Sequence, residues 1–193
     1  MITNTHLLMS RVLFKYCSKK LDTKLNKFNF LYGNIKPDFT SGKSNYHHCM
    51  DESMDVVCDY CSQLINTKMS IKTYSLTLGI VCHLICDYFC LYHTKEYRDK
   101  SLFEHFMYEV RLHFASINIF IFKRSKITMD TQNVSEKSIP DIIYHMHEKY
   151  SMENKSYFRD IVYAVSTAMM VMDLIVNKKN LGYSSFENIR KIS

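Results

Sequence analysis

Apolar residues along this chain recur mostly at helical spacing, with few alternating runs and little Gly or Pro punctuation. The pattern predicts helices over about Thr5–Leu21, Met50–Asn66, Ile71–Leu91, Asp99–Phe122, Asp141–Tyr150, Lys155–Asn177 and Ser184–Ile192. Thr3 or Thr5 is the expected N-cap of the first helix, and Lys19 and Lys20 suit the negative end of its dipole. Residues 25–48, "LNKFNFLYGNIKPDFTSGKSNYHH", open as a short apolar helix and then read as a loop marked by Gly33, Pro37 and Gly42. That loop carries Asp38, His47 and His48, and a second polar loop is expected over 123–140.

The pattern changes in the Ile71–Leu91 helix. Its second half, "VCHLICDYFCLY", is apolar on all sides, so the helix should be buried all round. Asp87 lies in the middle of it, where an unpaired carboxylate carries a large desolvation penalty. No Lys or Arg occurs between Lys72 and Lys95 to form a local helical salt bridge, so another cation should neutralise it. The longest apolar stretch, Ile161–Met172, is flanked by Arg159, Asp160 and Asp173 and is too short to span a bilayer, so it reads as a core helix.

Composition narrows the class. In 193 residues, 47% hydrophobic and 23% charged content argues against disorder and supports one all-α domain over 1–193. The seven cysteines are odd in number, and Cys82, Cys86 and Cys90 share one helical stripe, which favours reduced thiols over a disulfide framework. The first twenty residues lack the features of a signal peptide, and no segment reads as transmembrane, so a cytoplasmic location is expected. The formal net charge of +6 favours anionic substrates or surfaces, weakly by itself.

The candidate chemistry lies in His83–Glu109. His83 and Asp87 are one helical turn apart, as are His105 and Glu109, and His93 lies between the pairs. Imidazole and carboxylate are the ligand set of catalytic zinc. From spacing alone, His83 and Asp87 fit either a metal site or a buried hydrogen-bonded pair. Cys58-x-x-Cys61 is a single pair on a helix and reads as packing, and His113 as an outer hydrogen-bond partner or surface residue. His145 and His147 face different sides of their helix, and "VSTAMMVMDLIV" reads as core filler.

Taken in order, "TH" (Thr5, His6), "YGNIKPD" ending at Asp38, a histidine about ten residues on, His83-x3-Asp87, His93 and His105-x3-Glu109 resemble the zinc-dependent phospholipase C family. These bacterial enzymes include the catalytic domain of clostridial alpha-toxin. The resemblance covers roughly Met1–Phe122 and implies an all-α domain with up to three clustered zinc ions. It implies that His93, His105 and Glu109 share one ion, and that Asp38, His48, His83 and Asp87 share a second. Asp87 would reach onward to a third ion that also uses His6. His48 is preferred to its neighbour His47. Secreted members complete the third site with the terminal amine of a tryptophan, which this sequence lacks, so two zinc ions are expected and a third depends on a terminal ligand. Asp38 resembles the residue that both ligates and orients or deprotonates the attacking water.

Three functions follow from this resemblance. The leading one is a zinc phosphodiesterase that releases a phosphorylated headgroup from a phospholipid, with contact at the membrane surface. Fungal single-strand nucleases resemble the same ligand plan and make nucleic acid the alternative substrate. The third is a non-catalytic, cytosolic zinc-binding helical protein. No adjacent His-Asp dipeptide occurs, which sets aside an HD-type phosphohydrolase.

Overall fold

The segment that is apolar on all sides becomes the central helix of the protein. The computed structural model describes residues 1–21, 23–40, 48–97, 100–122 and 138–190. Eight α-helices and no strand occur among them: α1 (Thr3–Lys20), α2 (Lys27–Gly33), α3 (Lys36–Thr40), α4 (Met50–Asn66), α5 (Ile71–Tyr88), α6 (Leu102–Ile117), α7 (Ile139–Met152) and α8 (Tyr157–Arg190). A 3-10 turn at Leu91–His93 follows α5, and a π-helical turn at Asn118–Phe122 follows α6. Helix α5 packs against α1, α2, α4 and α8, while α6 and α7 lie against α8. Every residue from Thr77 to Leu91 is buried. Burying side chains such as Leu84 and Ile85 stabilises by roughly 1.5–3 kcal/mol each, the term that holds α5 at the centre.

Local signals start the helices. Ser70 Oγ accepts from Thr73 N to cap α5, and Ser101 Oγ accepts from Phe103 N and Glu104 N to cap α6. At α7, Ser138 and Asp141 form a reciprocal capping box. The first helix departs from expectation: its N-cap is Ile2, without a side-chain cap, and both threonines lie inside the helix. Thr3 is instead engaged by Asp38, and Thr5 by His113.

Three further boundaries differ from the sequence reading. Asp38 lies in the five-residue helix α3, not in a loop, because Pro37, lacking an N–H, fits the first turn, where that group has no helical partner. Helix α5 stops at Tyr88, and His93 is carried by the 3-10 turn. The two C-terminal helices are one, α8, since a single helical glycine such as Gly182 costs only about 1 kcal/mol. Its segment Tyr157–Asn180 is long and apolar enough to cross a membrane, beyond the Ile161–Met172 stretch considered from sequence. However, 72% of its most apolar window is buried within the protein, as in a core helix. Tyr16 of α1 donates to the Asp173 carboxylate of α8 at 2.6 Å, tying the first helix to the last. The second expected loop falls largely outside the described residues, as does His47.

Helices α2 and α5 cross at two glycines. A Cβ on Gly79 would collide with the Phe30 carbonyl oxygen, and one on Gly33 with the carbonyl oxygen of Leu76. The crossing also brings Asn34 to His83, whose Nδ1 donates to the Asn34 carbonyl at 2.8 Å. Gly79→Ala is therefore expected to destabilise by about 1–3 kcal/mol, as overpacking does, measured as a lower urea midpoint at unchanged slope. An unchanged midpoint would refute the tight crossing.

Candidate metal centre

Asp87 is fully buried on α5, and its two carboxylate oxygens face different sets of partners. Oδ2 lies 3.2 Å from Nε2 of His83, one turn earlier on the same helix, and 2.5 Å from Nδ1 of His48, which precedes α4. Oδ1 lies 3.1 Å from Nε2 of His6 on α1, 3.4 Å from Nδ1 of His93, and 2.5 Å from the Met1 amino group. Glu109 on α6 forms a second focus. Its Oε1 lies 3.0 Å from Nε2 of His93, 3.0 Å from Nε2 of His105 and 3.0 Å from the Met1 amino group.

The remaining carboxylate, Asp38, is divided in the same manner. Oδ2 accepts from the Thr3 hydroxyl at 2.8 Å, and Oδ1 lies 3.6 Å from His83 Nε2. The imidazoles form a continuous chain of ring contacts. His6 stacks on His83 with centroids 3.8 Å apart, and His48, His93 and His105 follow at 5.4, 5.7 and 5.1 Å.

His83 provides a test of what the cluster fits. Its Nδ1 donates to a carbonyl, so in the neutral ring Nε2 carries a lone pair. That lone pair faces Asp87 Oδ2, Asp38 Oδ1 and, at 3.4 Å, His48 Nδ1. Two carboxylates opposite a lone pair in a buried site repel unless a cation lies among them. Zn–N bonds of 2.0–2.1 Å in tetrahedral geometry separate two ligand atoms by about 3.3 Å, within the spacing seen here. Among the described residues, four groups could hold an ion: His6/His83/Asp87, Asp38/His48/His83, His48/Asp87/His93 and Cys90/His93/Glu109. The ligand atoms in each group lie within 4.8 Å of one another. His93 Nδ1 is buried without a hydrogen-bond partner, as expected of an atom placed for a different contact.

Electrostatics in the protein alone show the same balance. Burial opposes the charge of Asp87, but the Met1 amine and the surrounding histidines hold its carboxyl well below the usual range. Glu109 is likewise depressed: burial disfavours its charge, and the Met1 amine, His105 and His93 override it. Burial also works against the Met1 amine, yet Asp87 and Glu109 push it up to about 12. His6 is held at about 3, first by burial and then by His83, and burial lowers His93 as well. His48 moves the other way, because its bond to Asp87 outweighs partial burial.

All eight residues singled out from the sequence, His6, Asp38, His48, His83, Asp87, His93, His105 and Glu109, converge in this cluster. The sequence reading left a terminal ligand open and missed one contributor. The Met1 amino group lies among Asp87, His93 and Glu109, and Cys90 brings its thiol beside His93 and Glu109. No residue pattern marks a backbone amine, whereas Cys90 lies three residues from both Asp87 and His93 and was open to suspicion. Cys58 and Cys61 join none of these groups, and no disulfide joins any of the seven cysteines. His113 accepts or donates at the Thr5 hydroxyl, and His147 lies against Phe89 and Tyr150.

One side of the cluster opens into a cleft of about 290 Å³, lined by Met1, Asp38, His48, His93, His105 and Glu109, with Leu102 and Phe106 at its rim. Residues 5–157 match the model of a protein family described as zinc dependent phospholipase C. No curated protein and no solved structure matches the chain.

Two outcomes test the centre. Asp87→Asn, which keeps the shape of the side chain and removes its charge, is expected to weaken zinc binding beyond the roughly 10–100-fold typical of losing an outer partner. Native mass spectrometry against graded chelator reads this, and retained zinc content would refute the shared role of Asp87. The chelated protein should also lose stability as pH falls below 6.5. His6 drops from 6.5 to about 3 on folding, so the unfolded chain binds more protons in that window. His93 acts with the same sign, as do Asp87 and Glu109 at lower pH; His48 opposes them. Melting temperatures at pH 7, 5 and 4 provide the measurement, and a rise on acidification would contradict the argument.

Proposed function

The chain belongs to the zinc-dependent phospholipase C family, and on that footing we propose that it hydrolyses a phospholipid phosphodiester, releasing the phosphorylated headgroup. The observation that carries this reading is the open cleft onto which Asp38, His48, His93, His105 and Glu109 of the cluster face. His93, His105 and Glu109 are proposed to hold one zinc ion, and Asp38, His48, His83 and Asp87 a second. His6, the second oxygen of Asp87 and the Met1 amine form the donor set of a third. Zinc held by these donors would lower the pKa of a bound water and offset charge on phosphoryl oxygens.

The chain's own residues supply the rest. Asp38 is the proposed proton acceptor, and the Thr3 hydroxyl, bonded to its Oδ2, holds the side chain in place. The Asn34 carbonyl fixes the His83 tautomer that presents Nε2 to the cluster. Leu102 and Phe106 give one side of the cleft an exposed apolar border. In the reaction, water adds to phosphorus, the bond from phosphorus to the glycerol oxygen breaks, and the departing oxygen takes up the proton.

The lining of the cleft favours phospholipid over nucleic acid. Imidazoles, carboxylates and apolar side chains form it, and no Lys or Arg occurs among its described lining residues. A polynucleotide needs cations to follow its successive phosphates. A single phosphodiester attached to acyl chains needs the reacting centre and an apolar border.

Zinc-loaded protein is expected to release a phosphorylated headgroup from phosphatidylcholine vesicles and to leave single-stranded DNA intact. Asp38→Asn should lower turnover by roughly 10²–10⁴-fold, the usual contribution of a positioned base. Cleavage of DNA alone would replace this reading with the nuclease, and bound zinc without turnover on either substrate would make the centre structural.

A further inference from the structure

A second buried carboxylate, Asp160, lies in the first turn of α8 and is fully inaccessible. It takes part in neither carboxylate focus, and it lies beyond the residues matched by the family. Its Oδ1 accepts from the Tyr150 hydroxyl at 3.0 Å and from Arg159 Nε and Nη2 at 3.3 and 3.1 Å. Its Oδ2 accepts from the backbone N–H of Leu91 at 3.0 Å and from the Tyr108 hydroxyl at 2.6 Å.

The two partners of Oδ2 adjoin the metal centre. Leu91 opens the 3-10 turn that ends at His93, and its N–H is one of the donors such a turn leaves without an internal partner. Tyr108 immediately precedes Glu109 and lies one turn from His105 on α6. One oxygen thus fixes the separation between the element bearing His93 and the element bearing His105 and Glu109. Aromatic packing spans the same gap: the Tyr92 ring lies 4.9 Å from Tyr108 and 5.5 Å from His105. On the other oxygen, Arg159 stays fixed by the Tyr150 and Glu153 carbonyls at the end of α7, so Oδ1 does not depend on the Tyr150 hydroxyl alone.

We propose that Asp160 is the positioning residue for the His93/His105/Glu109 half of the centre, setting the ligand separation through Leu91 and Tyr108. The inference rests on the ligand assignment proposed above and is independent of the reaction catalysed. Outer-sphere partners of this kind typically change metal affinity by 10–100-fold.

Asp160→Asn would leave Arg159 buried beside a weakened partner and endanger folding, so the test uses Tyr108→Phe, which removes a single hydroxyl. Tyr150→Phe is the control, since it removes a hydroxyl from the same carboxylate on the side away from the centre. Co(II) titration of the full chain gives affinity and, through the visible bands, ligand geometry. Tyr108→Phe is expected to weaken one class of site by about 10–100-fold and to alter its bands, with Tyr150→Phe close to wild type at comparable melting temperature. In a His105→Ala background, Tyr108→Phe should have little further effect, which locates the coupling. Equal effects of the two hydroxyl deletions, or no change in Tyr108→Phe, would overturn the inference while the ligand assignment stands. Wild-type protein that binds no Co(II) overturns both.

Discussion

A carboxylate at the middle of an all-apolar helix constrains everything around it. Burying Asp87 ionised and alone would cost several kcal/mol, comparable with the gain from burying two or three of its aliphatic neighbours. The structure meets that cost by bringing groups from distant parts of the chain to both oxygens, His48 and His83 on one side and His6, His93 and Met1 on the other. Two faces of one carboxylate therefore organise two halves of the cluster, and the helices that carry those partners must pack where Asp87 requires them.

The scaffold contains two buried carboxylates with opposite surroundings. Asp160 is satisfied by an arginine, two phenols and a backbone N–H, donors that keep their protons across the physiological range. Asp87 is faced mainly by imidazoles, whose protons are readily lost and whose lone pairs then suit a cation. The first arrangement is permanent and holds elements together; the second can exchange a proton for a metal ion. Tight packing links the exchangeable set to the rest, since the Gly33–Gly79 crossing delivers the Asn34 carbonyl that orients His83.

What the sequence made legible was local. The i,i+4 spacing of His83/Asp87 and of His105/Glu109 needs only helical geometry, and the apolar surroundings of Asp87 already required a cationic partner. The boundaries of α4 could be read for the same reason, as its pattern is strongly periodic. Asp38 was identified as a site residue but assigned to a loop, because a five-residue helix is too short for periodicity to reveal. Asp160 was noticed only as the polar end of an apolar stretch. Its partners, Leu91, Tyr108 and Tyr150, lie 69, 52 and 10 residues away, and such pairings depend on tertiary packing. A terminal ligand was left open, because the position of the Met1 amine depends on packing that no residue pattern encodes.

Charge also links the cluster to its proposed substrate. With neutral imidazoles, Asp38, Asp87 and Glu109 carry three negative charges between them. Two zinc ions would bring four positive charges and the Met1 ammonium one more, so the loaded centre would be net positive, as suits a phosphodiester anion. Among its described lining residues the cleft offers no Lys or Arg to supply that attraction. Recognition of the phosphate would then depend on the same ions that promote its hydrolysis, acting in a partly buried site where screening by salt is weaker than at an exposed basic surface. The net charge of +6, which from composition alone pointed to anionic partners, is not represented by any Lys or Arg among the described lining residues of this cleft.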